Sequence, residues 1–403
     1  RSLVDEELTA WLGKHADQPL GVQLRSLDGV ILEVGLGAGV EAIRVPWIQG
    51  SKDHLPLLEA MAESSRSWVF FDSKSALKIL HGEGLAPTIT GDVHVASWIL
   101  RPSGKSRSFA QLVSDELGTP LPQPPADQLL PEENEAGVGV EAWCVLALWT
   151  QLSSQLDEAS RGVLSAIELP LVRILADMER IGIGSDRVAL DVLERELAGQ
   201  VGKFEAECFA AIGHEVNLGS PKQLQTVLFE ELEMPTTRAT KTGYSTDASA
   251  LAELQISNPH PFLDSLLGHR DATKLRQIVE GLRVAIGDDH RLHTTFDQTG
   301  TSTGRLSSLE PNLQNIPIKT QTGHQIRASF VAQPPAEGLL TADYSQIEMR
   351  IMAHLSGDEG LIEAFHAGED LHRFVGSRIF GVQPDEVTAL MRTKVKAMSY
   401  GLA

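Results

Sequence analysis

Residues 338–358 read GLLTADYSQIEMRIMAHLSGD, and the passage changes period halfway along. Gly338 to Ala342 is a short apolar run of strand type, Asp343 stands at its end, and Tyr344, Ser345 and Gln346 make a polar turn. From Ile347 onward the apolar residues recur at helical spacing, with Glu348 and Arg350 among them. A carboxylate leaving the end of a buried strand has its backbone held by the sheet while its oxygens face a cleft, which suits a divalent cation. An aspartate before a helix is more often a plain cap. The flanking sequence decides between the two.

Upstream, residues 291–320 read RLHTTFDQTGTSTGRLSSLEPNLQNIPIKT. Few of these residues can build a core and many can donate or accept hydrogen bonds. Arg305 sits between Gly304 and Leu306, with Asn312, Gln314 and Asn315 close behind. Arginine, asparagine and glutamine can read acceptors on base-pair edges; a surface loop packed on its own side chains is the plainer reading. Downstream, MRTKVKAMSYGLA (391–403) spaces Arg392, Lys396 and Tyr400 four apart. On a helix they share one face, two cations followed by a ring, and such a face suits an anion. The three tyrosines of the chain, Tyr244, Tyr344 and Tyr400, all fall in these polar segments.

A chain of 403 residues, 42% apolar, is long enough for two to four domains with their own cores. Cys144 and Cys208 match no metal or redox spacing, so buried free thiols in a reducing compartment are expected. No apolar run reaches the length that crosses a bilayer and no cleavable leader is read, so a cytoplasmic location without membrane contact is expected. The formal charge of −20 argues, taken alone, against nucleic acid. The acid is unevenly spread, however: Ser108 to Ser160 contains no lysine or arginine.

Within that stretch TPLPQPPADQLLPEE (119–133) reads as a surface loop, because its prolines lack donors and fix φ. Before it, GVQLRSLDGVILEVGLG (21–37) and SWVFF (67–71) read as strands, and KSALKILHGEG (74–84) and HVASWIL (94–100) as helices. With a closing helix from Val140 to Leu156, an α/β domain over about residues 1–165 follows. Helices then dominate: 163–186, interrupted by Pro170 and stopped by Gly182, and the amphipathic 187–213. Ser220 before Pro221 marks another helix start, whose amides beside Lys222 could hold a phosphate or merely face water. TTRATKTGYSTD (236–247), with Lys241, is basic and hydroxyl-rich and suits contact with a duplex backbone.

At TGYSTD, TGRLSS, EPNLQNIPI, ADYSQIEMRIMAHLSGD and the spaced His372, Arg392, Lys396 and Tyr400-Gly401, the chain resembles the family A DNA polymerases, the bacterial DNA polymerase I family. The matches run in family order over residues 166–403. The resemblance implies an α/β exonuclease-like domain followed by a mainly α thumb and the α+β palm and fingers of a right-hand polymerase, incomplete at the fingers. Its divisions are 1–165 for a degenerate 3′-to-5′ exonuclease-like domain, 166–290 for the thumb and connecting helices, 291–365 for the first part of the palm and 366–403 for the first part of the fingers. The rest of the fingers and a second palm aspartate are expected past residue 403.

The same resemblance implies DNA-templated addition of deoxynucleotides to a primer 3′-hydroxyl in repair and replication, by a monomer near the nucleoid. Asp343 and the Tyr344 backbone carbonyl would hold two Mg2+ ions, for which Mn2+ can substitute. Glu348 resembles the gate against a ribose 2′-hydroxyl. His372, Arg392 and Lys396 resemble the triphosphate ligands, with Lys396 also a proton donor to pyrophosphate, and Tyr400 resembles the ring that stacks by the incoming nucleotide. Arg305 resembles the minor-groove arginine at the primer terminus. Asn312, Gln314 and Asn315 belong near the template, and Ser220, Lys222 and Lys241 to DNA-backbone contacts. A working proofreading site needs an Asp-x-Glu pair on the first strand; Leu24 and Ser26 stand there, and Ala76 near the next expected aspartate, so no nuclease activity is expected. The alternative is a non-catalytic DNA-binding or scaffolding relative that kept the fold.

Overall fold

The computed structural model describes residues 1–402 apart from 105, 122–136, 242 and 369, and the side chains of 399–402 are left aside. Most of the proline-rich segment 119–133 therefore lies outside the described residues. The chain separates into two compact units, Arg1–Glu337 and Gly338–Ala403.

The first unit opens with a five-stranded sheet in the order β3-β2-β1-β4-β5, formed by Leu20–Leu27 (β1), Val30–Ala38 (β2), Glu41–Pro46 (β3), Trp68–Phe70 (β4) and Ile89–Asp92 (β5). β1 pairs antiparallel with β2 and parallel with β4. The glycines of 21–37 have a packing reason. A Cβ at Gly35 would lie 1.9 Å from the Val138 carbonyl oxygen, and one at Gly21 would lie 2.2 Å from that of Ala142. Only glycine lets the helix Val138–Gln155 lie so close on the strands. Trp68, Phe70, Leu20, Val34 and Leu36 fill the core on the sheet. The helices expected at 74–84 and 94–100 form as Ser73–Gly82 and Val93–Leu100, each started by an aspartate, Asp72 and Asp92.

Pro170 leaves its mark one step early. A π segment, Leu164–Glu168, precedes the helix Leu169–Ile181, where the missing proline N–H disturbs the regular ladder. Gly182, at φ +65°, ends that helix. Beyond it the helices Arg187–Ile212 and Pro261–Ala285 run antiparallel: Leu190, Leu193 and Leu197 share a core with Val279 and Leu282, while Cys208 packs with Phe262 at the opposite end. Arg276 with Glu194 (2.9 Å) and Arg283 with Asp191 (2.5 Å) stitch the pair. Both cysteines are buried and free, as expected. Burial, then Glu207 and Glu205, pushes the Cys208 thiol up to about 11. Among the described residues no helix is long and apolar enough to cross a membrane.

The second unit corrects one expectation. Gly338–Tyr344 does not form a strand, and Leu340 is 95% exposed. A strand needs a partner edge for its N–H and C=O groups, and the described elements of Gly338–Ala403 are helical: Ile347–Ser356, Glu359–His366, Leu371–Phe380, a short 3-10 turn and Ala389–Leu402. Met349, Ala364 and Leu371 form its core with Met352, Phe365 and Phe374.

Candidate functional site

In the second unit, Asp370 is the organising side chain. It caps the helix Leu371–Phe380 by accepting from the amides of His372 (3.0 Å) and Arg373 (3.3 Å), and its other oxygen accepts from Arg392 Nε at 2.8 Å. Burial would raise its pKa, but the Arg392 guanidinium and the two amides outweigh it and hold the carboxyl below its usual range. His372 is 2% exposed. Its Nδ1 lies 3.1 Å from Gln346 Nε2, and burial lowers its pKa against the pull of Asp370, with Arg392 and Lys396 adding to the lowering. A neutral imidazole is favoured there. The helical spacing of Arg392 and Lys396 is realised in Ala389–Leu402, with Lys396 exposed one turn beyond Arg392.

His372, Arg392 and Lys396 thus gather around the start of one helix. Two further residues take part: Asp370 holds His372 and Arg392, and Gln346 meets His372. Asp370 was findable as an N-cap candidate two residues before His372. Gln346, whose backbone adopts the left-handed region at φ +53°, carries no such signal. Asp343 and Tyr344 are exposed in the segment before Gln346, and Glu348 is exposed in the first turn of Ile347–Ser356. A carboxylate beside a backbone carbonyl offers hard oxygen donors of the kind Mg2+ takes. Among the described residues no three His, Cys, Asp or Glu side chains converge into a metal cluster.

In the first unit, Arg305 lies on the loop between the paired strands Thr295–Asp297 and Ser307–Leu309. The Thr301 hydroxyl donates to the Arg305 carbonyl at 2.7 Å, and Gln314 Nε2 donates to the Leu306 carbonyl at 2.9 Å. Asn312 accepts from the Gln314 amide at 3.0 Å. Asn312 and Asn315 line an open groove of about 640 Å³ whose far wall is Lys274, Ile278 and Gly281 of the long helix Pro261–Ala285. Gln314 thus ties the segment that carries Asn312 and Asn315 to the residue after Arg305. Ser220 and Lys222 stand apart from them at the start of Pro221–Gln225, where Ser220 Oγ accepts from the Gln223 amide. Lys241 is exposed at the turn of a two-strand ribbon. The basic character of that ribbon is less than its sequence suggests, because Arg238 is paired with Asp247 at 2.5 Å.

In the N-terminal sheet, Leu24 packs against the core, Ser26 lies on the same strand and Ala76 is buried. Glu33 and Glu141 lie beside Arg25 of the same strand, at 2.5 and 3.7 Å, and a second acid pair is Asp72 and Asp92. Asp92 is 2% exposed and accepts from the amides of Ser73 and Val95, both at 2.8 Å, and from the Ser73 hydroxyl. Burial, then the Asp72 carboxylate, pushes its pKa up to about 6 in spite of these donors. A raised pKa means that stability is fully present below the unfolded value near 3.8 and is lost as the pH rises through about 6. Protection of the Ser73 and Val95 amides against hydrogen exchange, corrected for intrinsic rates, is expected to fall by up to roughly 3 kcal/mol between about pH 4 and pH 7.5. Equal protection at both ends would refute this.

A chain that joins such a sheet to long paired helices and a helical, cation-bearing unit has a counterpart of known structure. The POL domain of Pol1 from M. smegmatis in complex with DNA primer-template and dNTP matches it at a TM-score of 0.92 and 42% identity, over 100% of this chain and 71% of that one. The family described as DNA polymerase family A matches residues 187–403, and the chain belongs to that family. DNA polymerase I of Mycobacterium tuberculosis is 46% identical over 98% of this chain and 46% of its own length. DNA polymerase I of Bacillus subtilis is 36% identical over 84% of this chain and 40% of its own. The chain spans about half the length of the curated relatives it matches.

Proposed function

We propose that this chain is part of a DNA-templated DNA polymerase that adds deoxynucleotides to a primer 3′-hydroxyl in repair and replication. The observation that carries this is the joining of His372 and Arg392 through Asp370, with Lys396 near enough to act on the His372 ring, within the matched family region. The division at 165/166, 290/291 and 365/366 into exonuclease-like domain, thumb, palm and fingers belongs to the same proposal, as do the cytoplasmic location and the monomeric state.

Arg392 and Lys396 bind the triphosphate, and Lys396 supplies a proton to the departing pyrophosphate. Held neutral, His372 donates one hydrogen bond from a fixed ring and adds no charge. Glu348 excludes a ribose 2′-hydroxyl, which would meet its carboxylate. Arg305 reaches the minor groove at the primer terminus, where acceptors are alike for every pair, so shape is tested and sequence is not. Asn312, Gln314 and Asn315 lie toward the template, and Ser220, Lys222 and Lys241 toward the DNA backbone. Asp343 and the Tyr344 carbonyl would hold Mg2+ or Mn2+, which supplies Lewis-acid stabilisation of the phosphoryl oxygens when bound.

The N-terminal domain is read as inactive in proofreading. Asp92 is occupied by three donors from the helix starts it caps, and Leu24 belongs to the packing. Tyr400 gives the reading a sharp consequence. Its hydroxyl would take the space of a missing sugar hydroxyl, so dideoxynucleotides are expected to be accepted nearly as well as deoxynucleotides. In competition between dTTP and ddTTP during primer extension by the full-length natural protein, Tyr400→Phe should raise discrimination at least tenfold, about 1.4 kcal/mol. Strong rejection of ddTTP by the parent would sink the assignment. The reading as a whole is tested by primer extension: primers should lengthen on a template and should not be shortened without nucleotides.

A further inference from the structure

We propose that the N-terminal domain serves the polymerase reaction as the support on which the Arg305 loop is set, with Trp98 as the positioning residue. The inference rests on the polymerase reading and on the role given there to Arg305.

The loop 298–306 is made mostly of small and polar residues, carries glycines at 300 and 304, and Gly304 adopts φ +79°. Locally the Thr299 amide and hydroxyl donate to Asp297 at 2.9 and 3.1 Å; its other anchors reach in from elsewhere in the unit. At its base, the Phe296 amide donates to Glu179 Oε1 at 2.8 Å, and the Phe296 carbonyl accepts from Lys74 Nζ at 2.6 Å. Glu179, with a side chain 1% exposed, also pairs with Lys74 and with Lys78 at 2.7 Å. Both lysines belong to the helix Ser73–Gly82 of the N-terminal domain. On its flank, Gln298 Nε2 donates to the Glu168 carbonyl (2.9 Å) and carboxylate (2.5 Å).

At the tip, the Trp98 indole N–H donates to the Thr301 carbonyl at 2.8 Å. The Thr301 hydroxyl then donates to the carbonyl of Arg305 itself at 2.7 Å. Two successive hydrogen bonds through Thr301 thus lead from the N-terminal domain to the backbone of Arg305. Trp98 stands, half-buried, on the helix that Asp92 caps, and Val93, Val95 and Ala96 seat that helix in the core of the domain. Buried ion pairs such as Lys74 with Glu179 add little net stability but fix an arrangement. Here they fix the base of the strand pair that carries the loop.

A held arginine meets a correctly shaped primer terminus without the cost of ordering the loop. A mispaired terminus gains less from it, so loosening the loop should slow correct extension and leave mispair extension almost unchanged. Trp98→Phe in the full-length protein keeps the ring and removes the donor; Thr301→Val removes the second link alone. Each is expected to speed hydrogen exchange across 299–306 roughly 3- to 10-fold, and to lower kcat/KM for a matched terminus, and with it mismatch discrimination, by a similar factor. In an Arg305→Ala background, Trp98→Phe should lower discrimination no further, since the two act through one contact. Parental loop exchange and discrimination in both single variants, or effects that multiply in the Arg305→Ala background, would overturn the proposal. A parent that extends no primer counts against the polymerase reading itself, and the exchange arm then decides the positioning alone.

Discussion

Asp343→Asn in the full-length protein is expected to cut templated nucleotide incorporation by about a thousandfold or more. Asparagine keeps the shape of the side chain and loses the charge that would anchor a divalent cation. Lewis-acid stabilisation of a phosphoryl transition state is worth several kcal/mol, and each 1.4 kcal/mol or so is a factor of ten in rate. Asp343 is exposed and lies outside regular structure, so the substitution removes no core packing. Primer-template affinity and the melting transition should stay close to parental. Single-turnover incorporation beside a DNA-binding titration separates the two quantities, and a loss of less than tenfold would remove Asp343 from the chemistry.

Lys396→Ala should produce the next largest loss, roughly 100- to 10,000-fold in kcat/KM for the nucleotide, if the ammonium both binds the triphosphate and donates a proton. The residue is exposed on Ala389–Leu402, where alanine keeps the helix propensity. Removing Arg392 would take the partner from Asp370 and so disturb the cap in front of His372. The split between constants is informative. A fall in kcat with an altered basic limb of the pH profile supports proton donation, whereas a change confined to KM would leave Lys396 as a binding group only.

What the sequence made legible was local. Four-residue spacing placed Arg392 and Lys396 on one helix face, Ser220 before Pro221 marked a helix start, and residues 21–37 read as strands. The failures were non-local. Gly338–Ala342 has the apolar character of a strand, yet a strand is a relation between segments, and no described neighbour in its unit offers an edge. Gln346 meets His372 only because a left-handed turn and a later helix bring them together. Lys74, Glu179 and Phe296 lie more than a hundred residues apart in sequence and meet in one buried junction. Arg238 counted as a free cation in the sequence, while the structure pairs it with Asp247. Side-chain chemistry along one helix can be read from spacing; which carboxylate is consumed by which cation cannot.

The most direct test is single-nucleotide incorporation by the full-length protein on four primer-templates that differ only in the templating base, each offered the four deoxynucleotides separately in Mg2+. The account predicts extension by the complementary nucleotide in every case, abolished in Asp343→Asn. Absence of incorporation on all four templates, or incorporation that ignores the templating base, would contradict it.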